Sequence, residues 1–439
     1  MLCGLVCLFA ATAAAAAPVH QSFQSPTSID QDDMCLWIHP EDTALSLVVA
    51  SDKYSGMVYV YDLDGTHRQT IVTGKPGNID VRYGFSLGGD CVDLVAFNER
   101  DQYRLLVYRV DPAQRVLVRV DDGNIDIGSN YGMTLQWHSN GSLFAYTGPK
   151  SSPITQYMLV ETTGGQITGV PTGWSVQLGT VEGMAGDDET GYVYLCEEQA
   201  GIWRVDALDA NHKVMIASSG DGSGLQSDVE GITLYYAPSG QGYLIASSQG
   251  ASHFTVFQRA APHAPVGNFE LGGVGATDGI DVVSLPLSAA FPSGIFLAHN
   301  GSDPATLVAA QWDAIVAELP ALQSAPGYWD PRSCGTTTSR GPDASVPAPA
   351  VLHTSVPNPF NPSTTLVYEV LAASRVRLQI HDVTGRVVRT LLDAPHSPGE
   401  HRVTWDGRDH NGREVAGGLY LCRLDAGGFS RTIKLTLVR

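Results

Sequence analysis

Residues 182–198 read Glu182-Gly-Met-Ala-Gly-Asp-Asp-Glu-Thr-Gly-Tyr-Val-Tyr-Leu-Cys-Glu-Glu198. A polar residue and a glycine open the stretch, an apolar run follows, Asp-Glu-Thr-Gly signals a turn, and a second apolar strand ends on a polar residue. The opening recurs downstream as Glu230-Gly-Ile and Asp278-Gly-Ile, and upstream as Tyr131-Gly-Met and Tyr83-Gly-Phe. A sixth copy, Asp33-Met-Cys-Leu-Trp, keeps the apolar follow-on without the glycine. From Asp33 onward the steps between openings are 50, 48, 51, 48 and 48 residues. A period of this size, filled with short strands such as Val58-Tyr-Val-Tyr-Asp, Tyr243-Leu-Ile-Ala and Phe254-Thr-Val-Phe, predicts an all-β chain. Its first three quarters form a six-bladed β-propeller with one sheet of about four strands per blade. A two-sheet sandwich would leave the period without a cause.

A second polar series trails the first, just after the second strand of each repeat: Lys53, Arg100, Lys150, Glu198, Gln249 and Asn300. Corresponding positions in a propeller occupy corresponding places, so two polar rings are expected at one end of the central channel. The rings divide by charge. Repeats one to three bring together Lys53, Arg100 and Lys150. Repeats four to six, with repeat one closing the circle, bring together Glu182, Glu198, Glu230, Asp278 and Asp33. Crowded carboxylates repel, and either take up protons or recruit a multivalent cation. With no thiolate or imidazole among them, the ion they suit is hard and oxygen-loving, such as Ca²⁺. A bowl lined half by bases and half by metal-holding acids fits a ligand carrying several phosphates.

Composition narrows the field. The 439 residues carry 26 basic and 45 acidic side chains, a net charge of −19, which excludes the basic footprint of a nucleic-acid binder. Residues 1–17, apolar and ending in a run of alanines, read as an export signal, too short for a membrane span. The expected location is therefore secreted or cell surface. The five later cysteines are scattered and odd in number, so no disulfide framework is implied. Cys334-Gly-Thr-Thr-Thr-Ser-Arg340 matches the Cys-x5-Arg loop of thiol phosphatases only formally, because it lies in a Pro/Ser/Thr-rich stretch with no strand–loop–helix setting. His39 and His138 read as turn or surface residues, and Trp37 and Trp203 as packing.

In order and without large gaps, several segments between residues 25 and 325 resemble β-propeller phytases (3-phytases). They are Asp32-Asp-Met-Cys-Leu-Trp-Ile-His-Pro, Ser51-Asp-Lys-Tyr-Ser-Gly, Asn78-Ile-Asp-Val-Arg-Tyr-Gly-Phe, Tyr131-Gly-Met-Thr-Leu, Glu182-Gly-Met-Ala-Gly-Asp-Asp, Asp228-Val-Glu-Gly-Ile-Thr-Leu-Tyr-Tyr, Ser247-Ser-Gln-Gly and Thr277-Asp-Gly-Ile-Asp-Val. The resemblance implies calcium-dependent hydrolysis of phytate, myo-inositol hexakisphosphate, by metal-activated water, with several Ca²⁺ ions bound. It implies that Asp33, Glu182, Glu198, Glu230 and Asp278 hold the metal. Lys53, Arg100 and Lys150 would grip phosphate, and Tyr131 would stand beside the scissile group. The competing class is a non-enzymatic exported propeller that binds phosphorylated ligands.

The remainder divides at a linker, residues 326–352. Val356-Pro-Asn-Pro-Phe-Asn-Pro, Val383-Thr-Gly-Arg, Trp405-Asp-Gly and Gly417-Gly-Leu-Tyr in residues 353–439 resemble Ig-like C-terminal domains of exported bacterial proteins. These include type IX secretion sorting tails and the flagellar hook-capping Ig-like domain. The implied partners are phytate and, through the tail, a secretion machinery; a monomer is expected.

Overall fold

The computed structural model describes residues 16–438, apart from 139–140, 152, 302–305, 328–349, 353–354, 356, 371–373, 384, 398 and 427–428. Most of the expected export signal, most of the linker and the Cys334–Arg340 stretch lie outside the described residues.

Six four-stranded antiparallel sheets follow one another along residues 21–311. The first is Gln31–Trp37, Leu47–Asp52, Met57–Asp62 and His67–Val72, paired in chain order. The innermost strands are Gln31–Trp37, Pro76–Leu87, Gly132–Trp137, Val181–Gly186, Val229–Tyr236 and Ile280–Val283, each touching the next, with the last touching the first. That closed circuit is the predicted six-bladed propeller. The sixth sheet takes its outermost strand from the N-terminal side: Gln21–Phe23 pairs with Thr306–Gln311. Closing the ring with both ends of the propeller removes a free sheet edge and fastens first repeat to last.

Alternation within each blade produces the core. Leu47, Val48, Val49 and Ala50 are all buried because a middle strand packs on a neighbouring blade through each face. The outermost strand of the same blade, His67–Val72, exposes alternate residues. Between blades four and five, Arg259 is fully buried, 2.7 Å from Asp187 through its Nε and 2.6 Å from Glu189 through Nη1. A buried guanidinium with carboxylate partners is tolerated; the same group left alone would be costly.

The chain's last part forms two further sheets. One is Ala350–Leu352, Thr364–Val370 and Gly399–Trp405; the other pairs Val387–His396, Ser374–His381, Gly418–Ala426 and Phe429–Leu437 in that order. Phe360, Leu366, Leu378, Ile380, Trp405 and Leu424 are buried between them. Two facing sheets with alternating inward residues make the small β-sandwich expected of an Ig-like fold.

The cysteines depart from the sequence reading. Cys35, Cys196 and Cys422 are free and buried, whereas Cys91 is disulfide-bonded. An odd count therefore concealed a pairing. His39 is a turn residue as expected: its Nδ1 accepts the backbone N–H groups of Glu41 and Asp42 at 3.2 and 3.1 Å.

Candidate functional site

The site is set by how the inner strands begin. In blade one, Gln31 pairs with Asp52 and Met34 with Ala50, so Asp32 and Asp33 fall in a bulge. The same irregularity lies between Pro76 and Ile79, Val181 and Met184, and Val229 and Ile232. A bulge re-aims the side chains it carries, here toward one mouth of the channel. Two residues ahead of the aligned apolar positions Met34, Ile79, Met133, Met184, Ile232 and Ile280 stand Asp32, Gly77, Tyr131, Glu182, Glu230 and Asp278.

The register also explains the repeated glycine. A Cβ on Gly183 would lie 1.8 Å from the Glu230 carbonyl oxygen, one on Gly231 2.2 Å from that of Asp278, and one on Gly132 2.3 Å from that of Glu182. Each glycine lets the next blade's backbone approach.

Aligned in this way, two residues of the expected first ring shift. Asp33 occupies the glycine position of blade one. Its Oδ2 accepts the N–H of Ile79 at 3.0 Å, and its Oδ1 lies 2.1 Å from where a Cβ of Gly279 would stand. Burial pushes its carboxyl well above the usual range, against the opposing hydrogen bonds from Ile79 and Met34. Asp33 is thus a wedge between blades, and Asp32 takes the ring position beside the bases. Tyr83 lies farther along its strand, buried, with its hydroxyl accepting from Ile38 N and donating to Leu36 O. The ring position of blade two is Gly77, and the vacated space is filled by Arg100, whose Nε would be 2.7 Å from a Cβ there.

The second series holds at four of six positions. Lys53, Arg100, Glu198 and Gln249 each follow the residue closing the second strand; in blade three Pro149 stands between Gly148 and Lys150, and in blade six that place belongs to Gly301, one beyond Asn300. The strand-closing acids have other employment. Asp52 accepts the N–H groups of Ile29, Asp30, Tyr54 and Ser55, while Glu197 accepts Gly179 N and Trp203 Nε1. That separates Glu197, a loop anchor, from its neighbour Glu198.

Glu182, Glu198 and Glu230 each bring a carboxylate oxygen within 4.8 Å of the others. Arg100 Nη2 lies 2.7 Å from Glu182 Oε1 and 3.8 Å from Asp32. Lys53 pairs with Asp32 and lies 3.4 Å from Asp278, and Gln249 donates to the other oxygen of Asp278. Arg100 and Lys150 both lie over the Tyr131 ring, 4.5 Å and 4.2 Å from its centroid. Eight of the nine expected site residues therefore converge at one mouth of the channel, with Asp32 joining in place of Asp33. His299 was not foreseen; its Nδ1 accepts the backbone N–H of Asp278 at 3.2 Å.

Electrostatics identify what the cluster lacks. Burial, then Glu182 and Asp278, push the Glu230 carboxyl up to about 9. Burial and Asp32 push Asp278 up to about 8. Glu198 is raised by burial and by Glu182. Asp32 is lowered: burial opposes ionisation, but Lys53, Asp278 and Arg100 outweigh it. Tyr131 is raised by burial and the three surrounding glutamates, so it stays a neutral phenol. Five carboxylates thus face three bases, and burial, with the neighbouring acids adding to it, biases Glu230 and Asp278 toward the protonated form. Oε1 of Glu198 is buried with no hydrogen-bond partner. An oxygen-rich cluster with an orphaned carboxylate oxygen and excess negative charge fits a hard divalent cation.

A family model for phytases matches residues 10–317, and one for the FlgD Ig-like domain matches residues 366–428. A 3-phytase of Bacillus subtilis (strain 168) is 35% identical over 287 residues, covering 62% of this chain and 75% of the relative. Among solved structures, a calcium-binding protein, regucalcin, from Agrobacterium tumefaciens has a TM-score of 0.43 at 11% identity, over 67% of this chain and 96% of its own. A gluconolactonase from Xanthomonas campestris has 0.39 at 14% identity, over 68% and 98%. With its family match spanning the whole propeller, the chain belongs to the phytase family, and it is an enzyme of that family with an Ig-like domain at its C-terminal end.

Proposed function

We propose that the propeller hydrolyses phosphomonoesters of phytate in a calcium-dependent reaction, releasing inorganic phosphate and lower inositol phosphates. The observation that carries this reading is the cluster of Glu182, Glu198 and Glu230 meeting Arg100, which together with Lys150 lies over the Tyr131 ring. Asp32, Glu182, Glu198, Glu230 and Asp278 are the residues that would hold the cations. Bound there, calcium would neutralise the carboxylates, offset charge on the phosphoryl oxygens and lower the pKa of an attacking water.

The chain's own groups position the substrate. Arg100 offers a planar fork to two phosphate oxygens, while Lys53 and Lys150 act as point charges. In this structure Arg100 and Lys53 are engaged by Glu182, Asp32 and Asp278. As those acids turn to other positive charge, the two bases become available to phosphate. Three cationic groups spread over three blades span more than one phosphate, which trades the substrate's rotational freedom for orientation. Tyr131, in contact with Arg100 and Lys150, provides a wall and a neutral hydroxyl beside the acids.

Export completes the proposal, with one adjustment. Ala17 is buried, its N–H bonding to Glu270 O at 2.9 Å and Glu318 Oε2 at 2.8 Å, and its carbonyl accepting Gly272 N. A leader cleaved just before Ala17 would leave an ammonium on Glu318, whereas cleavage after it would strip a buried residue. We read the Ig-like module as the part that meets a secretion machinery. The reaction is tested by ³¹P NMR of phytate incubated with the protein and Ca²⁺. A hydrolase gives a growing inorganic phosphate resonance that stops on chelation; a binder only broadens or shifts the phytate resonances.

A further inference from the structure

The Ig-like module carries a side-chain cluster that the propeller's chemistry does not use. Tyr368 in Thr364–Val370 stands opposite His401 in Gly399–Trp405, and His396 ends the strand Val387–His396 of the other sheet. Nδ1 of His396 and Nδ1 of His401 are 3.2 Å apart, and the Tyr368 hydroxyl is 3.4 Å from Nδ1 of His396. The rings lock one another: His401 stacks on Tyr368 at 5.4 Å and 20°, and His396 meets His401 edge-on at 4.5 Å and 74°.

The tautomer of His401 follows from its second nitrogen. Its Nε2 lies 2.9 Å from the Ser397 carbonyl, which only accepts, so Nε2 carries the hydrogen and the neutral ring directs a lone pair from Nδ1 toward His396. A histidine whose far nitrogen donates to a carbonyl is oriented in the way metal-ligating imidazoles are. Two nitrogens 3.2 Å apart, with Zn–N bonds of about 2.0–2.1 Å, subtend about 100° at a shared ion, close to the tetrahedral value.

We propose that His396 and His401 bind one Zn²⁺-type transition-metal ion through their Nδ1 atoms, with the Tyr368 phenol beside it and water completing the shell. The proton that bridges the two nitrogens belongs to His396 Nδ1 and would pass to His396 Nε2, which leaves both Nδ1 lone pairs to the ion. Nitrogen donors favour Zn²⁺ and Cu²⁺ over Ca²⁺, so this site and the carboxylate cluster draw on different ions. One ion would join Val387–His396 of one sheet to Gly399–Trp405 of the other.

The test uses the full chain in excess Ca²⁺, which occupies the carboxylates, titrated with Zn²⁺ by calorimetry and with Cu²⁺ by electron paramagnetic resonance. One equivalent should bind, and the copper signal should show splitting from two imidazole nitrogens. His401→Gln and His396→Gln should each weaken binding at least about 10-fold and remove the two-nitrogen splitting, with phosphate release from phytate unchanged. Tyr368→Phe, which keeps the stacked ring, should retain the splitting with weaker Zn²⁺ binding. A wild-type copper spectrum without nitrogen coupling, or histidine variants that bind as wild type, would overturn the site; the wild-type spectrum decides even where a variant fails to fold.

Discussion

The ammonium of Lys53 lies between Asp32 and Asp278, pairing with the first and 3.4 Å from the second, so the first and last blades meet over one base at the channel mouth. The neighbouring Asp33 takes no part in that contact. Asp32→Asn should therefore reduce phosphate release about 100-fold or more at saturating phytate and raise the calcium needed for half-maximal rate. Asp33→Asn should leave the calcium requirement within about 2-fold and act mainly on thermal stability. Steady-state kinetics of the two variants across calcium concentrations check the assignment, and an inverted ranking would return Asp33 to the ring.

Glu230 and Asp278 supply a pH dependence whose sign is fixed. Their folded pKa values, about 9 and about 8, lie above the ordinary carboxylate range. The folded state therefore binds more protons than the unfolded chain between about pH 4.5 and 9, and stability falls as pH rises through that window. In chelator, the melting temperature should drop by several degrees between pH 5 and pH 9. Glu230→Gln, which removes the charge, should flatten the drop, and so should saturating Ca²⁺. Calorimetric scans across pH decide it; a melting temperature that rises with pH in chelator would contradict the electrostatic account.

Gly183 and Gly231 are expected to be intolerant of any side chain, because each added Cβ meets a backbone carbonyl of the next blade at 1.8 and 2.2 Å. Gly231→Ala should cost roughly 1–3 kcal/mol through forced separation of blades five and six. At Gly220, where nothing lies within 4 Å, the cost comes only from a φ of +76°. Urea unfolding of the two variants should show the Gly231 change as the more damaging.

Much of this architecture was legible in the residues. The near-constant spacing of Tyr131, Glu182, Glu230 and Asp278 reported blades, since each blade repeats one supersecondary unit. The charge division between Lys53, Arg100, Lys150 and the acids reported which residues meet. The phase of the first two repeats did not follow, because the glycine taken as the marker is a consequence of close blade approach. Blade one places Asp33 there and blade two Asn78. Aligning on the buried apolar residues Met34, Ile79 and Met133 would have selected Asp32 and Gly77. The strand Gln21–Phe23 escaped notice because three residues carry no periodicity, and the Cys91 disulfide because spacing cannot specify a pairing.

If the leader is removed just before Ala17, the mature protein begins with an ammonium facing Glu318, whose Oε2 is 2.8 Å from Ala17 N. Intact-mass analysis of protein recovered from culture medium should give the mass of residues 17–439. Glu318→Gln should lower the melting temperature of that form by no more than about 1 °C, corresponding to a few tenths of a kcal/mol for a partly exposed pair. A mature chain starting at residue 18 or later would contradict the placement.

The central claim is that the acids of blades four to six and one, once neutralised by calcium, turn the channel mouth into a phosphate-hydrolysing site. Its most direct test is phosphate release from phytate by the full chain, titrating Ca²⁺ upward from a chelated start, with Glu230→Gln in parallel. The account predicts no release in chelator, restoration as calcium rises, and a curve displaced to higher calcium with a lower plateau for the variant. Silence at every calcium concentration and pH from a demonstrably folded sample, or release that ignores chelation, would contradict it.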